Sequence, residues 1–262
     1  MRKQRYHRRQ SRSAIWAMRI GLFSFLLLVL GFLPYRFWKL EWPDFVLVAV
    51  ASGILAVLAL ILAGLGLRAL WVNGDKGGAR SFWGSLAAIA VLAPLCTVGA
   101  FWLGSPPLHD VSTDLQSPPQ FPAAMPARSP RMNPVTARPE GDPLQQLAAY
   151  PDVVGRRYAA SPDRVGNGVV AVLKGFGWTA QVTDAPTDEP DATIYVASAR
   201  SFYLGLESDI VIRLRDEGDS TFVDVRSLSR YGKRDMGENA AFITRFLASL
   251  EGEVNKAPAN AD

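Results

Sequence analysis

Three stretches, at about residues 17–34, 45–67 and 82–103, carry no Asp, Glu, Lys, Arg or His except Arg19, and each approaches the ~20 apolar residues that a bilayer-crossing helix needs. In hydrocarbon every backbone N–H and C=O has to be satisfied within the segment, so runs of this kind form helices. The segment "LPYRFW" after the first run offers no small-residue cleavage site, which makes that run a retained anchor rather than a cleaved leader. Trp16, Trp38, Trp42, Trp71, Trp83 and Trp102 fall near the ends of the runs, where amphipathic rings settle at headgroup level. Proton relays and ion pathways need ionisable groups at membrane depth, which these runs lack, so a transporter is not expected. The small pairs Ala49/Gly53, Ala59/Ala63 and Gly84/Ala88 permit close helix packing, within one bundle or in a homo-oligomer.

Charge divides along the same line. Residues 1–107 hold 12 Lys/Arg against Glu41, Asp44 and Asp75, a net of +9; residues 108–262 hold 16 Lys/Arg against 21 Asp/Glu, a net of −5. The basic excess therefore belongs to the membrane half. The acidic outer half, with its signs interleaved, does not make the positive stripe of a nucleic-acid binder. Arg2, Lys3, Arg5, Arg8, Arg9 and Arg12 precede the first run, so the positive-inside rule puts the N-terminus in the cytoplasm. Three crossings then carry everything after about residue 104 to the far side, which in a Gram-negative bacterium is the periplasm beyond the inner membrane. The single cysteine, Cys96, lies within an apolar run, so an intrachain disulfide and a multi-cysteine metal site are excluded. Neither a metal nor a cofactor is expected.

The predicted organisation is a basic cytoplasmic arm over 1–16, a transmembrane region over 17–104, a Pro-rich linker over 105–143, an α+β domain over 144–254 and a disordered tail over 255–262. Eight prolines between Ser117 and Pro143 break any helix or central strand. Beyond them the pattern reads helix, four strands, helix. Ser161-Pro162 starts the first helix, Val165, Val169, Val172 and Leu173 form its apolar stripe, and Gly175 ends it. Strands follow at about 177–184, 192–199, 207–215 and 220–229. The last helix is expected to begin at Asp235 with Glu238 completing a capping box, and to turn Met236, Ala240, Ile243, Leu247, Leu250 and Val254 inward. Hairpin-linked strands with helices to one side imply an antiparallel sheet in an α+β layer arrangement.

A four-residue turn at Asp216–Asp219 would pair Arg213 with Phe222, Val211 with Asp224 and Asp209 with Arg226, leaving Ile210, Ile212, Leu214, Val223 and Val225 on the core face. The other face then reads as a solvated surface carrying an ion pair worth ~0–1 kcal/mol. Serine hydrolysis at Ser227 or Ser229 would need a histidine, and only His7 and His109 exist. Asp209 and Asp224 share a face as paired carboxylates would, but neighbouring arginines favour their ionised forms over a proton donor. Arg226, Arg230, Lys233 and Arg234, close to a helix start, read either as an anion-binding patch or as a network tying strand to helix.

Two segments carry a family resemblance. "HDVSTDLQSPPQF" at 109–121 and "VDVRSLSRYGKRDMGENAAFI" at 223–243, with "ESDIVIRLRDEG" between them, resemble domain of unknown function family 1499 over about residues 108–250. The family often shows two adjacent aspartates where this chain has Ser208 and Asp209. The resemblance marks Asp110, Thr113, Asp114, Pro118, Pro119, Asp209, Asp224, Arg226, Ser227, Ser229, Arg230, Asp235, Gly237 and Asn239 as motif positions. It implies that 109–121 docks on the outer domain through Asp110, Thr113, Asp114, Pro118 and Pro119, leaving about 123–142 flexible, and it supplies no activity. The functional expectation is a polytopic inner-membrane protein, in contact with the lipid bilayer, whose periplasmic domain binds an envelope protein or a polar or anionic ligand in envelope maintenance. Its binding residues are Asp209, Asp224, Arg226, Ser227, Ser229, Arg230, Asp235 and Asn239. The alternative is a membrane-anchored hydrolase using carboxylates on the polar sheet face.

Overall fold

The computed structural model describes residues 9–38, 40–122, 128–135, 142–183, 192–201 and 204–256. The first half of the basic arm, most of the stretch expected to be flexible, and the end of the tail lie outside these residues. Two compact units are present, Met1–Phe101 and Trp102–Asp262.

The first unit is built from α1 (Arg12–Phe37), α2 (Trp42–Asn73) and α3 (Gly78–Gly104), each long and apolar enough to cross a membrane. The helices run three to six residues past the apolar stretches, except that α3 ends one residue beyond the third. Ser11 accepts the Ala14 N–H at the start of α1, and α2 ends at Gly74, whose φ of +67° is the left-handed conformation that stops a helix. Small residues set the packing: Ala49, Ala56, Ala59, Ala63 and Ala88 are buried. A Cβ on Gly21 would sit 2.5 Å from the Gly84 carbonyl oxygen, so α1 and α3 meet where neither has a side chain.

The second unit begins its secondary structure with β1 (Asp110–Ser112) and α4 (Asp142–Ala149), then β2 (Arg156–Tyr158) and α5 (Pro162–Gly175). Four strands follow, β3 (Thr179–Thr183), β4 (Ala192–Arg200), β5 (Glu207–Asp216) and β6 (Thr221–Ser229), and α6 (Glu238–Lys256) closes the domain. The sheet is antiparallel, in the order β1-β6-β5-β4-β3, with β2 also on β6. The expectation of four strands therefore falls short. Two three-residue strands share the outer edge of β6, β2 beside Thr221–Val223 and β1 beside Arg226–Leu228. Neither is long enough to announce itself by alternation.

Helices α5 and α6 cover one face. Val165, Val169, Val172 and Leu173 of α5 and Phe242, Ile243, Phe246, Leu247 and Leu250 of α6 pack on Ile210, Ile212, Leu214, Val223 and Val225. Trp178 meets Phe242 edge-on at 5.6 Å. The core face matches the alternation, but the register does not. Arg213 pairs with Asp224, Val211 with Arg226 and Asp209 with Leu228, because Asp216 still pairs with Thr221 and the four-residue loop is Glu217–Ser220. The shift is two residues along β6, which preserves every side chain's face while changing every partner.

Helix α6 starts at Glu238 rather than Asp235. Met236 (φ 56°) and Gly237 (φ 85°) are both left-handed, so Met236 lies outside the helix and makes no inward contact as part of it.

Candidate functional site

The polar face of the sheet is buried, which overturns its reading as a solvated, open surface. Asp209, Arg213, Asp224 and Arg226 are all inaccessible, lying beneath the segment that continues from β1 to about residue 122 and beneath residues 128–135. A charge taken out of water is costly unless it is paired and hydrogen-bonded, and each of these is.

Arg226 anchors the covering segment. Its guanidinium grips Asp110 bidentately, Nε to Oδ1 at 3.0 Å and Nη2 to Oδ2 at 2.7 Å, donates Nη1–H to the Pro119 carbonyl at 3.2 Å, and lies 5.3 Å from the Phe121 ring centroid. Asp224 accepts from Thr113 Oγ1 (2.9 Å), Arg213 (2.8 Å) and Arg215 (2.9 Å). Thr113 also exchanges backbone contacts with Val225, as N–H donor to its carbonyl and hydroxyl acceptor of its N–H, both at 2.9 Å. Asp114 takes the second Arg213 bond at 2.9 Å and turns the chain by accepting the Gln116 and Ser117 amides. Gly155 lets the β2 segment come this close. A Cβ there would lie 2.6 Å from Phe222 Cε1 and 2.7 Å from Asp224 Oδ1.

Asp209 forms a second centre. Arg230 donates to it at 2.8 Å, Ser198 Oγ at 3.0 Å, and Arg128 from the covering segment also donates to it. Burial lowers the Arg128 pKa, an effect that Asp209 partly offsets. Asn133 holds the same segment down, its side-chain amide nitrogen donating to the Ser229 (2.9 Å) and Gly232 (2.7 Å) carbonyls.

Ser227 and Ser229 point to the other face. Ser227 donates to Asn239 Oδ1 at 2.7 Å, and Asn239 Nδ2 donates to Ser229 Oγ and to the His109 carbonyl, each at 2.9 Å. His109 thus reaches the serines through its main chain, the Ser229 N–H also bonding its carbonyl at 2.8 Å. Asp235 accepts the Gly237 and Asn239 amides at 3.0 and 2.9 Å, occupying the helix start itself. Burial raises the Asp235 pKa; burial and then the Asp235 charge raise that of Glu238. Burial and the same charge push Tyr150 up to about 12.

The residues expected to act together therefore split. Asp209, Asp224, Arg226 and Arg230 lie under the covering segment, while Ser227, Ser229, Asp235 and Asn239 lie between sheet and α6. The basic patch disperses as well: Arg226 turns to Asp110, Arg230 to Asp209 and Arg234 to the Ser105 carbonyl, while Lys233 is exposed. Arg128, Asn133, Gln146, Gly155, Arg213 and Arg215 escaped the sequence reading as members of the network. The available signal was Val211 inside "IVIRLR", an apolar residue on the face assigned to solvent, because a strand buried on both faces loses the clean alternation of apolar and polar residues.

A concave surface of about 540 Å³ lies elsewhere, between β2, α5 and the end of α6, lined by Arg156, Arg157, Tyr158, Arg164, Glu251 and Val254. Arg156 meets Glu251 at 2.8 Å and Arg164 donates to the Val254 carbonyl at 2.8 Å. Burial pushes the Tyr158 hydroxyl up to about 12. Among the described residues, no group of three or more His, Cys, Asp or Glu side chains is arranged to hold a metal ion.

The interlocked face, from Asp110 to the helix carrying Leu250, coincides with a family boundary. The family described as "Protein of unknown function (DUF1499)" matches residues 110–250, more than half of the chain. The chain belongs to the DUF1499 family. The matched region of this DUF1499 chain starts at the aspartate that grips Arg226 and excludes the three apolar helices. Among solved structures, the vertebrate conserved region (VCR) of human METTL16 is similar at 15% identity with a TM-score of 0.30, over 43% of this chain and 88% of that one. No curated protein matches the chain.

Proposed function

We propose that this DUF1499 chain is an inner-membrane protein, N-terminus in the cytoplasm, that holds a non-catalytic α+β domain in the periplasm for binding a polar or anionic ligand or an envelope protein. The observation that carries this reading is the state of the two best-placed carboxylates. Asp209 is held by Arg128, Arg230 and Ser198, and Asp224 by Arg213, Arg215 and Thr113. A general acid needs a proton near working pH and a path to substrate. Here both carboxylates are already taken up by these donors, and the covering segment occupies the path. The face is then a clamp that gives the domain its shape, and recognition falls to the groove bearing Arg156, Arg157 and Arg164, where an incoming carboxylate or phosphate would exchange with Glu251 and Glu217, the solvent-facing partners of Arg156 and Arg157.

A reporter enzyme active only in the periplasm, fused after residue 256, should be active, and the same reporter fused at Gly74 should be silent. A photo-crosslinking residue replacing Arg157 in the intact protein should give a discrete adduct that Arg164→Glu removes. Ester or glycoside turnover by the purified protein that disappears in both Asp209→Asn and Asp224→Asn would replace this reading with the hydrolase.

A further inference from the structure

Helix α4 is built inside out. Residues three and four apart share a helix face, so Leu144, Leu147 and Ala148 lie on one side and Asp142 and Gln146 on the other. A helix packed on a domain normally turns its apolar side inward. Here Gln146 is 1% exposed and Asp142 is buried, while Leu144 is 75% and Leu147 55% exposed. The inversion has a cause. The Gln146 side-chain amide accepts the Ser112 N–H at 3.0 Å and donates to the Ser112 carbonyl at 2.6 Å, reproducing the paired bonds of a neighbouring strand and so terminating the sheet at β1. With its polar side committed to the strand edge, the helix presents its leucines outward.

Chain connectivity indicates what covers them. α3 ends at Gly104 and β1, to which α4 is pinned, begins at Asp110. The pinning point is Ser112, eight residue steps from Gly104, which reach at most ~29 Å even when fully extended. The chain thus limits how far α4 can lie from the end of the third apolar helix. The stretch from Asp142 to Gly155 contains no Lys or Arg, so its attraction is to apolar matter and not to anionic headgroups.

We infer that α4 is an interfacial helix whose Leu144 and Leu147 rest in the headgroup region of the bilayer and hold the domain against it. The inference rests on the membrane-anchored reading, and its test separates the two. The full chain carrying Cys96→Ser and Ala148→Cys, labelled with an environment-sensitive fluorophore, is reconstituted into vesicles of phosphatidylcholine alone or mixed with phosphatidylglycerol. Flotation with the vesicles and resistance to carbonate extraction check the anchor independently. The expected result is blue-shifted emission, quenched by headgroup-proximal nitroxide lipid several-fold more than in a Leu144→Gln/Leu147→Gln version, and equal in the two lipid mixtures. The double variant should keep the hydrogen-exchange protection of Ser112, because both leucines are exposed. Water-like, unquenched emission from protein that floats overturns the inference. So does a blue shift that disappears when protein is diluted in lipid, which would assign the face to a second copy of the chain.

Discussion

Replacing Asp110 by Asn tests whether the covering segment is held by a buried charge. Asp110 and Arg226 are 2% and 1% exposed, and the contact is bidentate. Asn keeps the shape but removes the anion, so Arg226 stays charged and desolvated against the Pro119 carbonyl and the Phe121 ring. Removing one partner of a buried pair costs ~3–5 kcal/mol, where an exposed pair costs ~0–1. The segment is a short edge strand, so the loss should appear first as local opening. At a factor of ten per ~1.4 kcal/mol, amide exchange in 110–113 should accelerate roughly 100- to 4,000-fold. Hydrogen-exchange mass spectrometry on the full chain in micelles reads this directly, with the α6 amides as internal reference. The double variant Asp110→Leu/Arg226→Met should recover most of the protection, since an apolar pair of similar volume is neutral or better in a dry site. An acceleration under about tenfold, or a double variant no better protected than Asp110→Asn, would refute the argument that charge burial holds the segment.

Three further outcomes follow from the same contacts. Gly155→Ala forces a methyl to within 3 Å of Phe222 and Asp224 and should destabilise the domain by ~1–3 kcal/mol, visible as a lower denaturant midpoint at unchanged slope. Asn239→Ala strands the buried Ser227 hydroxyl, leaves the Ser229 hydroxyl with only the Ser208 hydroxyl at 3.5 Å, and loses the bond to the His109 carbonyl. With ~1–3 kcal/mol per orphaned group, it should cost more than Gly155→Ala by thermal melting. Glu238→Gln should stabilise increasingly as pH rises. The folded-state pKa of Glu238 lies above its unfolded value, so ionisation penalises the folded state only once pH passes the ordinary glutamate range. The difference in melting temperature between variant and parent should therefore be smallest at about pH 4 and largest at neutrality, and a difference independent of pH would remove Glu238 from this account.

Periodicity and composition alone carried the three apolar helices, the α5 and α6 faces and the core strands, because each buries a continuous apolar stripe whose spacing is local information. Val223 and Val225 face the helices whichever register the hairpin takes, since a two-residue shift leaves faces unchanged. Partners are another matter. Asp224 meets Arg213 and Thr113 rather than Val211, and Asp209 meets Arg230 and Arg128, because loop length and the arrival of a segment 111 residues upstream decide them. The same arrival turned a face patterned like a solvated surface into an enclosed one. Hydropathy reports how much a side chain prefers water, and says nothing of whether an opposite charge will replace that water; Asp110 opposite Arg226 became a clamp, and Gln146 went inside while Leu144 stayed out, only when distant segments closed over the sheet.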